Sequence, residues 1–221
     1  MLYDIGMKTN TKFYYIFINI KGALYTADWI KFIQSAVDQD NPEYKGVLDK
    51  MLAKHPDWIG YYKAQGYTKS KSIRKICPYN IDSLNRLIDD LKLDYGVNLV
   101  ITSQKWKDGF DMKTVPALVK NGLNYKELNI DKTDTFAHDT VDGIHQYLSQ
   151  VGNPDTYVVV DYDDEVCSAF DHSKVIKVDQ FHNGLDDKSV DEYLDSLMDE
   201  MPEEVASGVS MLDDFNIQYT N

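Results

Sequence analysis

Lys12 to Ile20, KFYYIFINI, is the stretch whose reading decides the fold. Its aromatic and β-branched content and its short length mark a strand, and Lys21-Gly22 ends it. Apolar side chains fall on both parities, so both faces must be covered, as in the centre of a parallel sheet. Working outward, Val97 to Thr102 (VNLVIT), Tyr125 to Ile130, Tyr157 to Val160 (YVVV) and Val175 to Val178 give four further strands. Helical patterns separate them. Asn80 is placed to cap a helix with the stripe Ile81, Leu84, Leu87, Ile88 and Leu91, and a short helix covers Thr114 to Lys120. Thr140 is placed to cap a third, with Val141, Ile144, Tyr147 and Leu148 on one face, and an amphipathic helix over Ser189 to Met198 closes the series.

Strands alternating with helices of this length imply an α/β fold with right-handed crossovers, a five-stranded, mostly parallel sheet sandwiched by helices. Ligands in such folds sit beyond the carboxyl ends of the strands. The positions to read for function are therefore Asn19, Lys21 and Gly22; Thr102, Ser103 and Gln104; Asn129 to Lys132; and Asp161, Asp163 and Asp164. Thr102 and Ser103 have a plainer alternative as hydroxyls that start a loop by bonding its backbone. The three aspartates have one as a solvated acidic turn.

The chain of 221 residues has a formal charge of −13, which argues against extensive contact with phosphate backbones. That charge is unevenly spread. Residues 1–80 carry 12 basic and 7 acidic groups, whereas residues 81–221 carry 11 and 29. Between Ala27 and Cys77 the pattern turns polar and helical, with breaks at Asn41-Pro42 and His55-Pro56. Lys69 to Lys75, KSKSIRK, is a basic strip close to Tyr61, Tyr62 and Tyr67; it reads either as a solvated surface or as a contact for RNA or phosphate. The five histidines and the cysteines Cys77 and Cys167 lack zinc-ligand spacing. Two thiols without a disulfide framework and no apolar leader lead us to expect a cytoplasmic protein. No apolar run reaches the roughly 18 residues of a membrane span, so no membrane partner is expected.

Four of these segments, in order, resemble the haloacid dehalogenase (HAD) superfamily. FINIKGAL, Phe17 to Leu24, is similar to its first motif, a strand running into Asp-x-Asp-Gly, and VITS, Val100 to Ser103, to its second. YVVVDYDDE, Tyr157 to Glu165, resembles the fourth, and HNGLDDKSVDEYL, His182 to Leu194, the closing segment of small HAD domains associated with RNA-repair enzymes. The resemblance implies a HAD-like Rossmannoid core over residues 1–26 and 78–196, a helical cap-like insertion over 27–77, and an acidic tail over 197–221. It implies phosphate contacts at Thr102, Ser103 and Lys132 and cation-binding acids at Asp161 and Asp163.

The chain departs from the family where chemistry matters most. The nucleophilic Asp is Asn19 and the acid/base Asp is Lys21. An amide oxygen is a poor nucleophile, and an ammonium offers no acceptor. An ion pair of Lys21 with Asp161 or Asp163, in place of catalytic Mg²⁺, is expected. The resemblance and these departures together lead us to expect a pseudo-phosphatase that binds a protein partner, the favoured partner, or a phosphate-containing ligand, with no cofactor. One rival is an active Mg²⁺-dependent phosphomonoester hydrolase on nucleotides or nucleic-acid ends, with Asp28 or a fourth-motif acid as nucleophile. Another is an acidic nucleic-acid mimic that blocks a basic protein.

Overall fold

The computed structural model describes residues 12–44, 46–65, 76–107, 110–134, 137 and 139–199. Five strands, β1 (Phe13–Ile18), β2 (Gly96–Ile101), β3 (Asn129–Lys132), β4 (Tyr157–Asp161) and β5 (Val175–Lys177), form one sheet. Its order is β3-β2-β1-β4-β5 and every pairing is parallel. This is an α/β architecture of the Rossmann-like kind.

The alternation along β1 explains its central place. Tyr14, Ile16 and Ile18 pack on one side with the helix stripe Ile81, Leu84, Leu87, Ile88 and Leu91. Phe17 packs on the other with Val100, Ile144, Leu148, Val159, Val166 and Phe170. Neither parity reaches water beyond the first residues of the strand, so no β1 side chain from Ile16 to Ile18 has a polar alternative. Truncating one of these core positions, such as Leu84, to Ala costs about 2–5 kcal/mol.

The α-helices of five or more described residues are α1 (Ala27–Val37), α2 (Val47–Lys54), α3 (Trp58–Gln65), α4 (Pro78–Leu91), α5 (Val115–Lys120), α6 (Thr140–Gln150), α7 (Asp164–Ser168) and α8 (Asp187–Asp199). Helices α1 to α3 occupy the stretch between β1 and α4 and have a core of their own. Trp29, Phe32, Ile33, Trp58 and Cys77 are buried together there, and the Trp29 indole N–H donates to Ile76 O at 3.1 Å. Two backbone hydrogen bonds, Ala27 N to Gln180 O and Asp28 N to Phe181 O, fasten α1 to the loop after β5.

Several boundaries differ from those read in the sequence. β3 begins at Asn129, not Tyr125, because Tyr125 to Leu128 form a turn closed by Leu128 N on Tyr125 O, with Glu127 at φ 61°. Asp139, not Thr140, caps α6, its carboxylate accepting from Asp142 N at 2.8 Å. Asn80 is not a cap. Cys77 holds that position ahead of Pro78, and the Asn80 amide instead donates to Asn183 O and Leu185 O at 2.6 and 2.7 Å. The expected tail begins inside α8, which runs to Asp199; its remainder, 200–221, and the basic strip 69–75 lie outside the described residues. No described helix is long and apolar enough to cross a membrane.

The chain runs from β1 to β2 to β3 in one direction across the sheet, then returns to place β4 on the other side of β1. Such a reversal opens a crevice at the carboxyl ends of the two strands that flank it. Those strands are β1, which Asn19 follows directly, and β4, which ends at Asp161.

Candidate functional site

Two backbone hydrogen bonds carry the sheet past the end of β1: Asn19 N donates to Val160 O and Thr102 N to Ile18 O, both at 3.0 Å. Since Phe17 is paired with Val100 and Val159, two further residues bring Thr102, Asn19 and Asp161 into one row across β2, β1 and β4. Thr133, whose N donates to Ile101 O, extends that row beyond β3. After Asn19 the chain bends sharply through Lys21 (ψ 124°) and Gly22 (φ 91°). A Cβ at Gly22 would lie 2.3 Å from Tyr162 Cδ1, so only glycine fits between the two loops.

In the middle of the row, the Asn19 carboxamide is fully used. Its Nδ2 donates to both carboxylate oxygens of Asp161 at 3.1 Å, and its Oδ1 accepts from Ser103 Oγ at 2.5 Å. Asp161 is 1% exposed, and its Oδ1 also accepts from the backbone N–H groups of Tyr162 and Asp163 at 2.7 and 3.1 Å. Burial pushes the Asp161 carboxyl above its ordinary range, and these N–H donors only partly oppose that rise.

The expected ion pair of Lys21 with Asp161 or Asp163 is not formed. The bend turns Lys21 out to solvent, where its ammonium stands 5.5 Å from the centre of the Tyr162 ring. The Asn19 amide takes its place as the donor to Asp161. Asp163 is engaged as the cap of α7, accepting from Glu165 N at 2.9 Å. Asp164 pairs with Lys177 at the surface.

On the β2–β3 side the site is richer in donors. Thr102 and Thr133 are buried at adjacent strand ends, and neither hydroxyl has a hydrogen-bond partner among the described residues. Lys132, the last residue of β3, lies with its ammonium 5.3 Å from the centre of the Phe110 ring. Lys107 escaped the sequence reading, which stopped at Gln104. It ends a short helix after β2, is 3% exposed, and its Nζ donates to Asp134 O at 2.8 Å. Burial lowers its pKa, the Asp134 charge works against that, and the nearby Lys132 adds to it. The SQKWK pattern, with Trp106 buried beside it, was the available signal.

Asp28 occupies a second cluster. Its Oδ2 accepts from Lys54 Nζ at 2.9 Å and faces His182 Nδ1 at 3.0 Å. His55 stacks on Trp58 with ring centres 3.9 Å apart. Burial acts to raise the Asp28 pKa, but hydrogen bonds and charges from Lys54 and His182 outweigh it and hold the carboxyl below its ordinary value. A carboxylate held in this way is a clamp between α1, α2 and the loop after β5.

No family model, curated protein or solved structure matches this chain. Its chemistry must therefore be judged from the donors and acceptors themselves. The Asp161 oxygens already accept from N–H groups, and Asn19 turns hydrogens rather than an oxygen toward them, so this donor set does not suit Mg²⁺, which needs oxygen ligands in octahedral array. No group of three or more His, Cys, Asp or Glu with metal-site geometry occurs among the described residues. What the β2–β3 side offers is hydroxyl and ammonium donors, the groups that hold an anion.

Proposed function

We propose that the chain is a HAD-like pseudo-phosphatase that holds a phosphate-containing ligand at the carboxyl edge of the sheet without hydrolysing it. The observation that supports this reading is the Asn19 carboxamide, bonded to both oxygens of Asp161 and to Ser103, at the position where the HAD resemblance puts a carboxylate nucleophile. Thr102, Thr133, Lys107 and Lys132 then supply donors for phosphate oxygens, at adjacent strand ends and from the helical turn after β2, while the Ser103 hydroxyl hydrogen is taken by Asn19. Each hydrogen bond between a charged group and the ligand is worth about 1.5–3 kcal/mol, so loss of one weakens binding roughly tenfold or more.

Calorimetry with inorganic phosphate and a nucleoside monophosphate, alongside a p-nitrophenyl phosphate assay in Mg²⁺, tests the reading. Binding without turnover, weakened by Thr102→Val and by Lys107→Met, is the expected result. Turnover that survives Asn19→Ala but disappears in Asp161→Ala would show an active hydrolase with a different nucleophile.

A further inference from the structure

At the opposite end of the sheet from Asn19, a groove of about 550 Å³ opens between α4 and α8, beside Tyr14 near the start of β1. Its apolar surface comes from Leu91, Leu93, Leu194, Leu197 and Met198. Leu93 is 82% exposed and Met198 64%. Asp90 and Asp94 stand on the α4 side and Asp191 and Asp195 on the α8 side; Arg86, paired with Asp191, is the lining cation.

The placement of these acids runs against helix stability. Both helices end at this groove, and a helix carboxyl end carries partial negative charge, so the carboxylates near those ends, Asp90 and Asp195, are unfavourably placed. Neither helix has a basic residue in its last turn to offset this. The result is an apolar trough between two acidic walls. A cation-bearing occupant would bury the leucines and relieve the repulsion together.

We propose that this groove docks an amphipathic helix of a partner protein, one with a Leu- or Met-like stripe flanked by Lys or Arg. Charge complementarity selects this occupant over residues 200–221 and over a second copy of this chain. Residues 200–221 contain acids and no Lys or Arg, so they would add like charge to the walls. A second copy apposed through the same face would set acidic wall against acidic wall. The proposal does not depend on the phosphate site, which lies at the other edge of the sheet.

The test uses the full chain and a fluorescein-labelled 18-residue peptide, with leucines at helical i, i+3 and i+4 spacing and lysines elsewhere, followed by fluorescence anisotropy. Saturable binding that weakens about tenfold as salt is raised is expected. Leu93→Asp with Met198→Asp, at positions exposed enough to leave folding intact, is expected to weaken it at least tenfold. Charge attraction alone predicts that this more acidic variant binds tighter, and tighter or unchanged binding overturns the proposal. Asp94→Asn with Asp195→Asn is expected to weaken binding and flatten its salt dependence; an unaltered curve also overturns it. So does tighter binding of a peptide copying residues 200–221, or a dimer that Leu93→Asp with Met198→Asp dissolves, since either gives the groove to the chain itself.

Discussion

Asn19 and Asp161, 142 residues apart in sequence, meet side by side at the carboxyl ends of β1 and β4, one amide nitrogen serving both carboxylate oxygens at 3.1 Å. The contact places a neutral donor beside Asp161, so a single carboxylate stands at this point of the crevice.

Asn19→Asp should therefore turn a satisfied pair into two buried carboxylates in contact, of which one must protonate or recruit a cation. In EDTA the variant should lose about 1–3 kcal/mol of stability, through like-charge repulsion and the lost hydrogen bonds. Millimolar Mg²⁺ should restore much of that loss, because an ion that binds only the folded state stabilises it by mass action. The parent protein should melt at the same temperature with and without Mg²⁺. Thermal melts of both proteins in EDTA and in Mg²⁺ check this, and an equal Mg²⁺ response in both would show that Asn19 does not close the site to cations.

The same pair yields a pH dependence of definite sign. Asp161 has a raised folded pKa, so its contribution to stability is complete below the unfolded value near 3.8 and is lost as pH rises through the folded value. Asp161→Asn should remove this loss. Urea unfolding between pH 3 and 7 should show the stability difference, variant minus parent, becoming more favourable to the variant as pH rises. A difference that moves the other way would mean that the N–H donors outweigh burial.

Asp28 should behave in the opposite sense. Its folded pKa lies below the unfolded 3.8, because Lys54 and His182 outweigh the burial that acts to raise it. The stability it contributes is present above the unfolded value and is lost as pH falls through the folded one. Asp28→Asn should therefore cost most near neutrality, about 1–3 kcal/mol for hydrogen bonds to charged groups, and progressively less below pH 4. The comparison of Asp28→Asn with Asp161→Asn in one titration is informative because both are aspartates with little exposure whose carboxyl pKa values move in opposite directions.

How far the sequence carried this picture depended on whether a feature is local. The centre of the sheet was legible because Ile16, Phe17 and Ile18 fill both parities of β1, and the helix stripe from Ile81 to Leu91 is periodic. The row of Thr102, Asn19 and Asp161 followed from strand ends. The donor to Asp161 was not legible, because the bend at Gly22 decides that Lys21 points to solvent and Asn19 inward, and that bend depends on Tyr162, far along the chain. Lys107 and the His182–Asp28 contact were hidden for the same reason. Their partners come from segments remote in sequence, which no periodicity reports.

Gly22 gives the most direct check on how the two loops set the site. Its φ of 91° suits glycine, and a Cβ there would meet the Tyr162 ring at 2.3 Å and Gln180 Cβ at 3.1 Å. Gly22→Ala thus combines an unfavourable backbone conformation with a collision, a cost of order 1–3 kcal/mol. If the loops move apart to relieve the collision, Asn19 withdraws from Asp161. Phosphate binding in the proposed site should then weaken in Gly22→Ala, and Tyr162→Ala added to it should recover part of the stability by removing the ring. The backbone strain would remain in the double variant, so recovery should be partial. Full recovery would assign the whole effect to the ring, and no recovery would assign it to the backbone, a division that calorimetry on the two variants and on Tyr162→Ala alone resolves.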